Sequence, residues 1–260
     1  ENDSNLSIFG NAWVSGDARV YGEAHVSGNA RVSGDARVYG EAQVSGEARV
    51  YGKARVYGEA RVYVRALVYG DAWVYGKTRV YGDAQVSGKT RVSGDAQVYG
   101  NALVYGNAWV SEDAWVYGSA LVYGNALVSR HAQVSGDAQV YGNAWVYGKT
   151  RVYGRALVYG DAQVYGSALV YGNAWVYGKA QVYGDARVTD IPSTVTRSDG
   201  HTFILVSTPE GLRIIAGCRY FTFQEGRDHW STTRGGTQLG DESLAILNHL
   251  EYMATIRGML

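Results

Sequence analysis

From Ala12 to Val188 the chain repeats one apolar phrase with a period of six. Ala or Thr stands at every sixth position from Ala12 to Ala186, thirty positions in all, and each is followed two residues later by Val, from Val14 to Val188, without exception. The residue between them varies, so each unit reads small apolar, variable, β-branched, which is the period-two pattern of a short strand with Ala and Val on one side. Then come Tyr or Ser, almost always Gly, and commonly Asp, Asn, Glu or Lys, as in Gly34-Asp35-Ala36-Arg37-Val38-Tyr39. Gly supplies the backbone conformation that a tight corner needs. A unit this short cannot bury its own apolar side and must stack on copies of itself. Three strands and three corners close a triangular coil of eighteen residues, and thirty units make ten coils. At a strand spacing of about 4.8 Å the prism is on the order of 48 Å long. The fold class predicted is an all-β solenoid of about ten triangular coils followed by a small α+β C-terminal domain.

The inward aliphatic residue, the small inward residue four places later and the turn between them resemble the hexapeptide repeat of left-handed parallel β-helices. That family includes many acyltransferases and related scaffolds of bacteria and phages. The resemblance covers the thirty units and implies a left-handed parallel β-helix. It implies no activity by itself, because the repeat residues are core and corners. One departure is that the common family repeat has Gly directly after the aliphatic residue, whereas here Tyr or Ser intervenes.

The domain boundaries expected are an N-terminal cap over residues 1–9, the β-helix over 10–188 and a capping domain over 189–260. In the cap, Leu6 keeps the Ala register, Ile8 the Val register, and Phe9-Gly10 the corner. The period ends at Thr189-Asp190-Ile191-Pro192, where Pro192 takes an inward position and removes a backbone donor. Ser198-Asp199-Gly200 reads as a turn, and His201 to Ser207 and Leu212 to Gly217 as strands joined by Thr208-Pro209-Glu210-Gly211. Thr222 and Glu225 form a capping box that opens a helix to about Trp230, and Arg234-Gly235-Gly236 is a loop. A last helix runs from about Asp241 to Ile256, with Leu244, Ile246, Leu247, Leu250 and Met253 on its apolar face. The tail is similar, loosely, to the carboxyl-terminal domains that follow such repeats in phage and prophage proteins.

The outward strand residues form three ladders at a spacing of eighteen. The first carries Trp13, Arg31, Arg49, Leu67, Gln85, Leu103, Leu121, Gln139, Leu157 and Trp175, six of ten apolar, against four and two of ten on the others. A contiguous apolar face usually meets a partner, so Leu67, Leu103, Leu121, Leu157 and Trp175 are the expected self-association surface. Twenty of the thirty corners hold Tyr, and Gly is replaced at three, by Val64, Glu112 and Arg130. Glu112 and Arg130 stack on one corner, in the column where Ser93, Ser111 and Ser129 interrupt the tyrosines, with Asp113 and His131 next in sequence. Trp109, Ser111, Glu112, Trp115, Arg130 and His131 are therefore the candidate ligand-binding residues. The alternative is a surface Glu112–Arg130 pair or a subunit contact.

Lys and Arg number 24 and Asp and Glu 24, alternating through the repeat, which argues against a nucleic-acid surface. The single cysteine, Cys218, excludes an internal disulfide and suggests a reducing cytoplasm, the host's if the chain is phage encoded. Residues 1–10 show no basic segment followed by an apolar run, and no apolar stretch is long enough to span a membrane. His25 and His131 are the histidines of the repeat, and in the tail His229 and His249 have only Asp228 and Glu251 beside them, so no metal or cofactor is predicted. Cys218 reads as a small core residue, and there is no phosphate loop, Ser-centred elbow or dinucleotide fingerprint. Arg beside Trp and Tyr suits phosphate plus a stacked base. The reading is a non-catalytic homotrimer from a phage, prophage or bacterium that sequesters a small nucleotide-like signalling ligand between subunits. The alternatives are an acyl-CoA-dependent acyltransferase and a structural spacer or virion component.

Overall fold

The computed structural model describes residues 6–189, 193–208, 210–217 and 219–260. The readings made on Asp190, Ile191, Pro192, Pro209 and Cys218 lie outside the described residues, as does the packing of Leu6, Ile8 and Phe9.

Each unit contributes a two- to four-residue strand, from Trp13–Val14 to Arg187–Val188, and within the array each strand pairs in parallel with those eighteen residues before and after it, the end strands having one such partner. The three outward ladders are thus the outer faces of three sheets, two of ten strands and a third of fifteen that also takes in strand Leu6–Gly10 and the tail. Strict register puts Leu103 opposite Leu121, Trp109 opposite Leu127 and Trp115 opposite Gln133. Hydrogen bonds between coils continue round the corner: the amides of Leu103, Tyr105 and Asn107 donate to the carbonyls of Ala120, Val122 and Gly124 at 2.9, 3.0 and 2.8 Å. Along the same corner, side-chain amides form a ladder, Asn107 to Asn125 to Asn143 to Asp161, at 3.1, 3.0 and 2.9 Å.

The inward Ala and Val residues are withdrawn from solvent from Ala24 onward, while Ala12, Val14, Ala18 and Val20 of the first coil are only partly buried. Each inward Val contributes roughly 1.5 to 3 kcal/mol of burial. Thr78, Thr90 and Thr150 fill the Ala position and are buried equally well.

The tail extends the third sheet. Strand Thr202–Thr208 runs antiparallel to the last solenoid strand, pairing Ser207 with Arg187, and itself pairs with Thr194–Thr196 and Gly211–Ala216; Arg219–Phe221 completes the sheet. Ile204, Val206 and Ile215 on one side join the solenoid core and cap it. Phe203, Leu205, Ile214 and Ala216 pack on the other side against helices α1, Phe223–Arg234, and α2, Gln238–Ile256. A strand buried on both sides reads as a continuous apolar run, which is what Phe203-Ile204-Leu205-Val206 is.

Three expectations are corrected here. Helix α1 continues past Trp230 to Arg234: Thr233 bonds back to the His229 carbonyl at 2.7 Å, and the last turn has no need of apolar periodicity because it faces solvent. Helix α2 begins at Gln238 rather than Asp241, because the Thr237 hydroxyl accepts from the Gly240 amide and so caps the earlier turn. Strands Thr194–Thr196 and Arg219–Phe221 were not anticipated; each has three residues, too few to carry a pattern. The Thr222–Glu225 capping box forms as expected, with reciprocal bonds of 2.7 and 3.1 Å.

A buried cation ties the tail sheet to its helices. Arg197, 2% exposed, forks onto both carboxylate oxygens of Asp199 at 3.0 and 2.7 Å, donates to the Ser243 hydroxyl at 2.7 Å and lies over the Trp230 ring at 4.9 Å. That hydrogen bonding, more than any other influence, holds the Asp199 carboxyl well below the usual carboxylate range.

Replacing Val104 by Asp would bury an unpaired carboxylate in mid-prism and should cost several kcal/mol, read as a fall in the thermal midpoint. A second expectation concerns pH. Because Asp199 titrates lower folded than unfolded, its contribution is complete above the ordinary value of about 3.9 and drains as pH falls below it. Asp199→Asn should therefore destabilise the tail at pH 7 and progressively less in acid, as denaturant melts at a series of pH values will register.

Candidate functional site

The tyrosines at the corners stack into rails. Tyr105, Tyr123, Tyr141 and Tyr159 follow one another at ring-centroid distances of 4.9, 4.8 and 4.9 Å, with planes within 3° of parallel. A second rail runs Tyr63, Tyr81, Tyr99, Tyr117 at 5.0, 4.8 and 5.0 Å. The third holds Tyr21, Tyr39, Tyr57 and Tyr75, stops, and resumes at Tyr147, Tyr165 and Tyr183. Ser93, Ser111 and Ser129 occupy the interruption. Burial first, then the neighbouring phenols, raise the hydroxyl pKa of Tyr57, Tyr99 and Tyr123.

The glycines beside the rails are needed twice over. Their φ values cluster near +70°, and a Cβ on Gly94 would lie 2.8 Å from the Cα of Glu112 in the next coil. Val64, Glu112 and Arg130 nevertheless adopt the same left-handed conformation, at φ 65°, 57° and 60°. For residues with a side chain this costs about 1 to 2 kcal/mol each. Two of the three thus sit at the interruption of the rail, where two charged side chains replace glycine and three rings are absent.

Around this notch the expected residues divide by face. Ser111, Glu112, Arg130 and His131 share one corner in adjacent coils, whereas Trp109 belongs to the second sheet and Trp115 to the third, on either side of it. Both indoles are substantially exposed. The Arg130 guanidinium leans over the Tyr147 ring, 5.9 Å from its centroid, closing the upper end of the gap. The expected alternative, a Glu112–Arg130 ion pair, is absent within 4 Å among the described residues. Instead His131 Nε2 lies 3.6 Å from the carboxylate of Asp113, both exposed. The notch therefore presents a carboxylate, a guanidinium, hydroxyls and an aromatic edge to solvent.

The YdcK beta solenoid repeat model matches residues 24–40, 42–58, 96–112, 132–148, 138–154, 150–166, 162–178 and 180–190, under half of the chain. The chain is a parallel β-solenoid of about ten coils built on a hexapeptide repeat. No curated protein matches it significantly. Among solved structures, LpxA from Acinetobacter baumannii shares 8% identity over 69% of this chain and 72% of that one, with a TM-score of 0.46. A UDP-N-acetylglucosamine acyltransferase from Campylobacter jejuni shares 13% identity over 94% and 90%, with a TM-score of 0.36. Likenesses this low carry nothing about activity.

This β-helix also holds a feature that sorting its ladders by apolar content hides. On the second face the guanidiniums of Arg55 and Arg91 lie 4.9 and 5.4 Å from the Trp73 ring, and Arg91 is 5.1 Å from Trp109, so cation and indole alternate up to the edge of the notch. Stacking uses the guanidinium faces and leaves edge N–H donors outward. The signal was the spacing of eighteen itself, Arg55, Trp73, Arg91, Trp109. On the first face Leu103 adjoins Leu121 and Leu157 adjoins Trp175, but Gln139 separates the two pairs, and Leu67 stands between Arg49 and Gln85. A hollow of about 270 Å³ lower on that face is lined by Asn11, Asn29, Arg31, Glu47 and Arg49, all exposed. Among the described residues there is no group of three His, Cys, Asp or Glu that could hold a metal, and no helix long and apolar enough to cross a membrane.

If the strain at the notch is retained for its side chains, relieving it should separate stability from binding. Glu112→Gly and Arg130→Gly should each raise stability by about 1 kcal/mol, measured by denaturant melts, because Gly meets no Cβ penalty there.

Proposed function

We propose that the protein is a non-catalytic binding scaffold that takes a small nucleotide-like ligand at the notch, between subunits of a homotrimer. The observation that carries this reading is the coincidence of two strained charged residues, Glu112 and Arg130, with the three-coil break in the tyrosine rail. In this reading Arg130 supplies a cation for phosphate, Trp109 or Trp115 a stacking face, and Ser111 and His131 hydrogen bonds. The stacked Arg91–Trp109 pair beside the notch adds a second outward-facing set of donors. Sequestration of a signalling molecule in a cytoplasm, the host's for a phage-encoded chain, needs no catalytic group. The apolar pairs Leu103–Leu121 and Leu157–Trp175, with the rail from Tyr105 to Tyr177 beside them, are the surface proposed for subunit contact.

A second reading, acyl transfer from acyl-CoA, is favoured by one observation: His131 Nε2 lies 3.6 Å from the carboxylate of Asp113, which can orient an imidazole acting as a base.

Isothermal titration with mono-, di- and cyclic nucleotides beside acetyl-CoA tests both. One charge-assisted contact is worth about 1.5 to 3 kcal/mol, so Arg130→Ala should weaken nucleotide binding roughly ten- to more than a hundredfold. No heat from any nucleotide, or full affinity in the variant, removes the notch from consideration; acyl transfer that disappears in His131→Ala selects the second reading. Changing Leu103 and Leu121 together to Glu should give folded monomers by light scattering, since both are outward and only half-buried.

A further inference from the structure

The tyrosine rails have a chemical property that shielding of the corners does not require. Coils repeat by translation, so atoms of each ring lie over the same atoms of the ring eighteen residues away, one coil step apart. In the longest rail, Tyr105, Tyr123, Tyr141, Tyr159 and Tyr177 stand at 4.9, 4.8, 4.9 and 5.5 Å, with interplanar angles of 1°, 3°, 3° and 15°. The rings are only partly covered, so small oxidants reach them. A tyrosine that loses one electron also gives up its phenolic proton, and the resulting radical carries spin on oxygen and on the carbons ortho to it. When two such radicals meet, an ortho–ortho carbon bond forms, and the two displaced ring hydrogens move to the oxygens and restore aromaticity. The sum is two electrons and two protons lost from two tyrosines. Encounter is ordinarily the difficult step; here the partners are already held together, which replaces a bimolecular collision by an intramolecular one.

We propose that the tyrosine rails are sites of intramolecular oxidative cross-linking, at which one-electron oxidants join tyrosines eighteen residues apart and staple one coil to the next. The pairs that qualify are those within unbroken rails, such as Tyr21–Tyr39, Tyr81–Tyr99 and Tyr123–Tyr141. The interruption at Ser93, Ser111 and Ser129 divides the third rail into two segments that do not join. A phenol of ordinary pKa, about 10, is protonated at neutral pH, so proton and electron leave together; burial and then neighbouring phenols push Tyr123 and Tyr159 further in the same direction.

The alternative is that oxidation follows exposure alone. Tyr252, 64% exposed on α2 and outside every stack, then reacts first and links one molecule to another. The full-length chain, dilute, is illuminated with tris-bipyridine ruthenium(II) and persulfate under conditions that couple free tyrosine, persulfate accepting the two electrons as it becomes two sulfates. Linked peptides are mapped by mass spectrometry. The expected products are intramolecular links, each lighter by two hydrogens, between residues eighteen apart, with none between Tyr75 and Tyr147. Tyr141→Phe, which keeps the ring and the stack, should abolish both links through position 141 and leave Tyr105–Tyr123. Links dominated by Tyr252, links chiefly between molecules, or tyrosine consumed without eighteen-spaced pairs would each overturn the proposal.

Discussion

The solenoid, on which the tail is seated, follows from one distance, the spacing of strands stacked a single coil apart. Each residue rests on its counterpart eighteen positions away, through backbone bonds as regular as those from Leu103 to Ala120 and from Tyr105 to Val122. The inward side accepts only side chains that tile at that spacing, which Val and Ala do in every coil. At the corners the same spacing leaves no room for a Cβ: on most glycines it would come to about 3 Å from the backbone of the next coil. Tyrosine rings have no choice but to lie parallel, and amides such as Asn107, Asn125 and Asn143 bond into a ladder.

Translation also sets the rule for function. A side chain repeated along a ladder makes a line, useful as a rail or a face but uniform along its length. A discrete site needs a departure from the repeat, and departures are costly in proportion to how tightly the repeat is packed. Glu112 and Arg130 depart at the most crowded position, where they hold a left-handed backbone, and the adjoining rail loses three rings in the same stretch. Val64 makes the same departure with a β-branched side chain, and nothing in the structure explains it.

How far the sequence could be read depended on the range of the contacts. Core, sheets and ladders rest on a fixed offset of eighteen, so Ala24 through Val188 could be assigned their places without coordinates. The notch was legible for the same reason, as three breaks in a strict register. The Arg55–Trp73–Arg91–Trp109 stack was equally available, but hydropathy alone does not show that a cation beside an indole is one structure. The tail was read less well because its contacts have no common offset. Arg197 precedes the Ser198-Asp199-Gly200 turn with nothing in its neighbours to mark it, and its bond to Ser243, 46 residues on, belongs to a buried cation that no local pattern reports. Helix ends moved for a similar reason: Thr237 and Thr233 decide them through local hydroxyl bonds that apolar periodicity does not report.

Where the strained residues stand along the prism bears on whether the fold can carry them. In a solenoid, stability is a sum of each repeat and its two neighbouring interfaces, and the ends fray first. The first coil shows this: Ala12, Val14, Ala18 and Val20 are partly open, whereas the inward residues around Glu112 and Arg130 are wholly withdrawn. A penalty of about 1 to 2 kcal/mol per left-handed residue placed in the first coil would compete with a half-formed interface. In the middle, Ala108, Val110, Ala114 and Ala126, Val128, Ala132 bracket the two corners with complete burial, and the strain is spread over coils anchored on both sides. The one stretch of the array that interrupts both glycine and tyrosine for consecutive coils is therefore also where interruption costs the fold least, the position expected of a site added to a scaffold whose ends must stay closed.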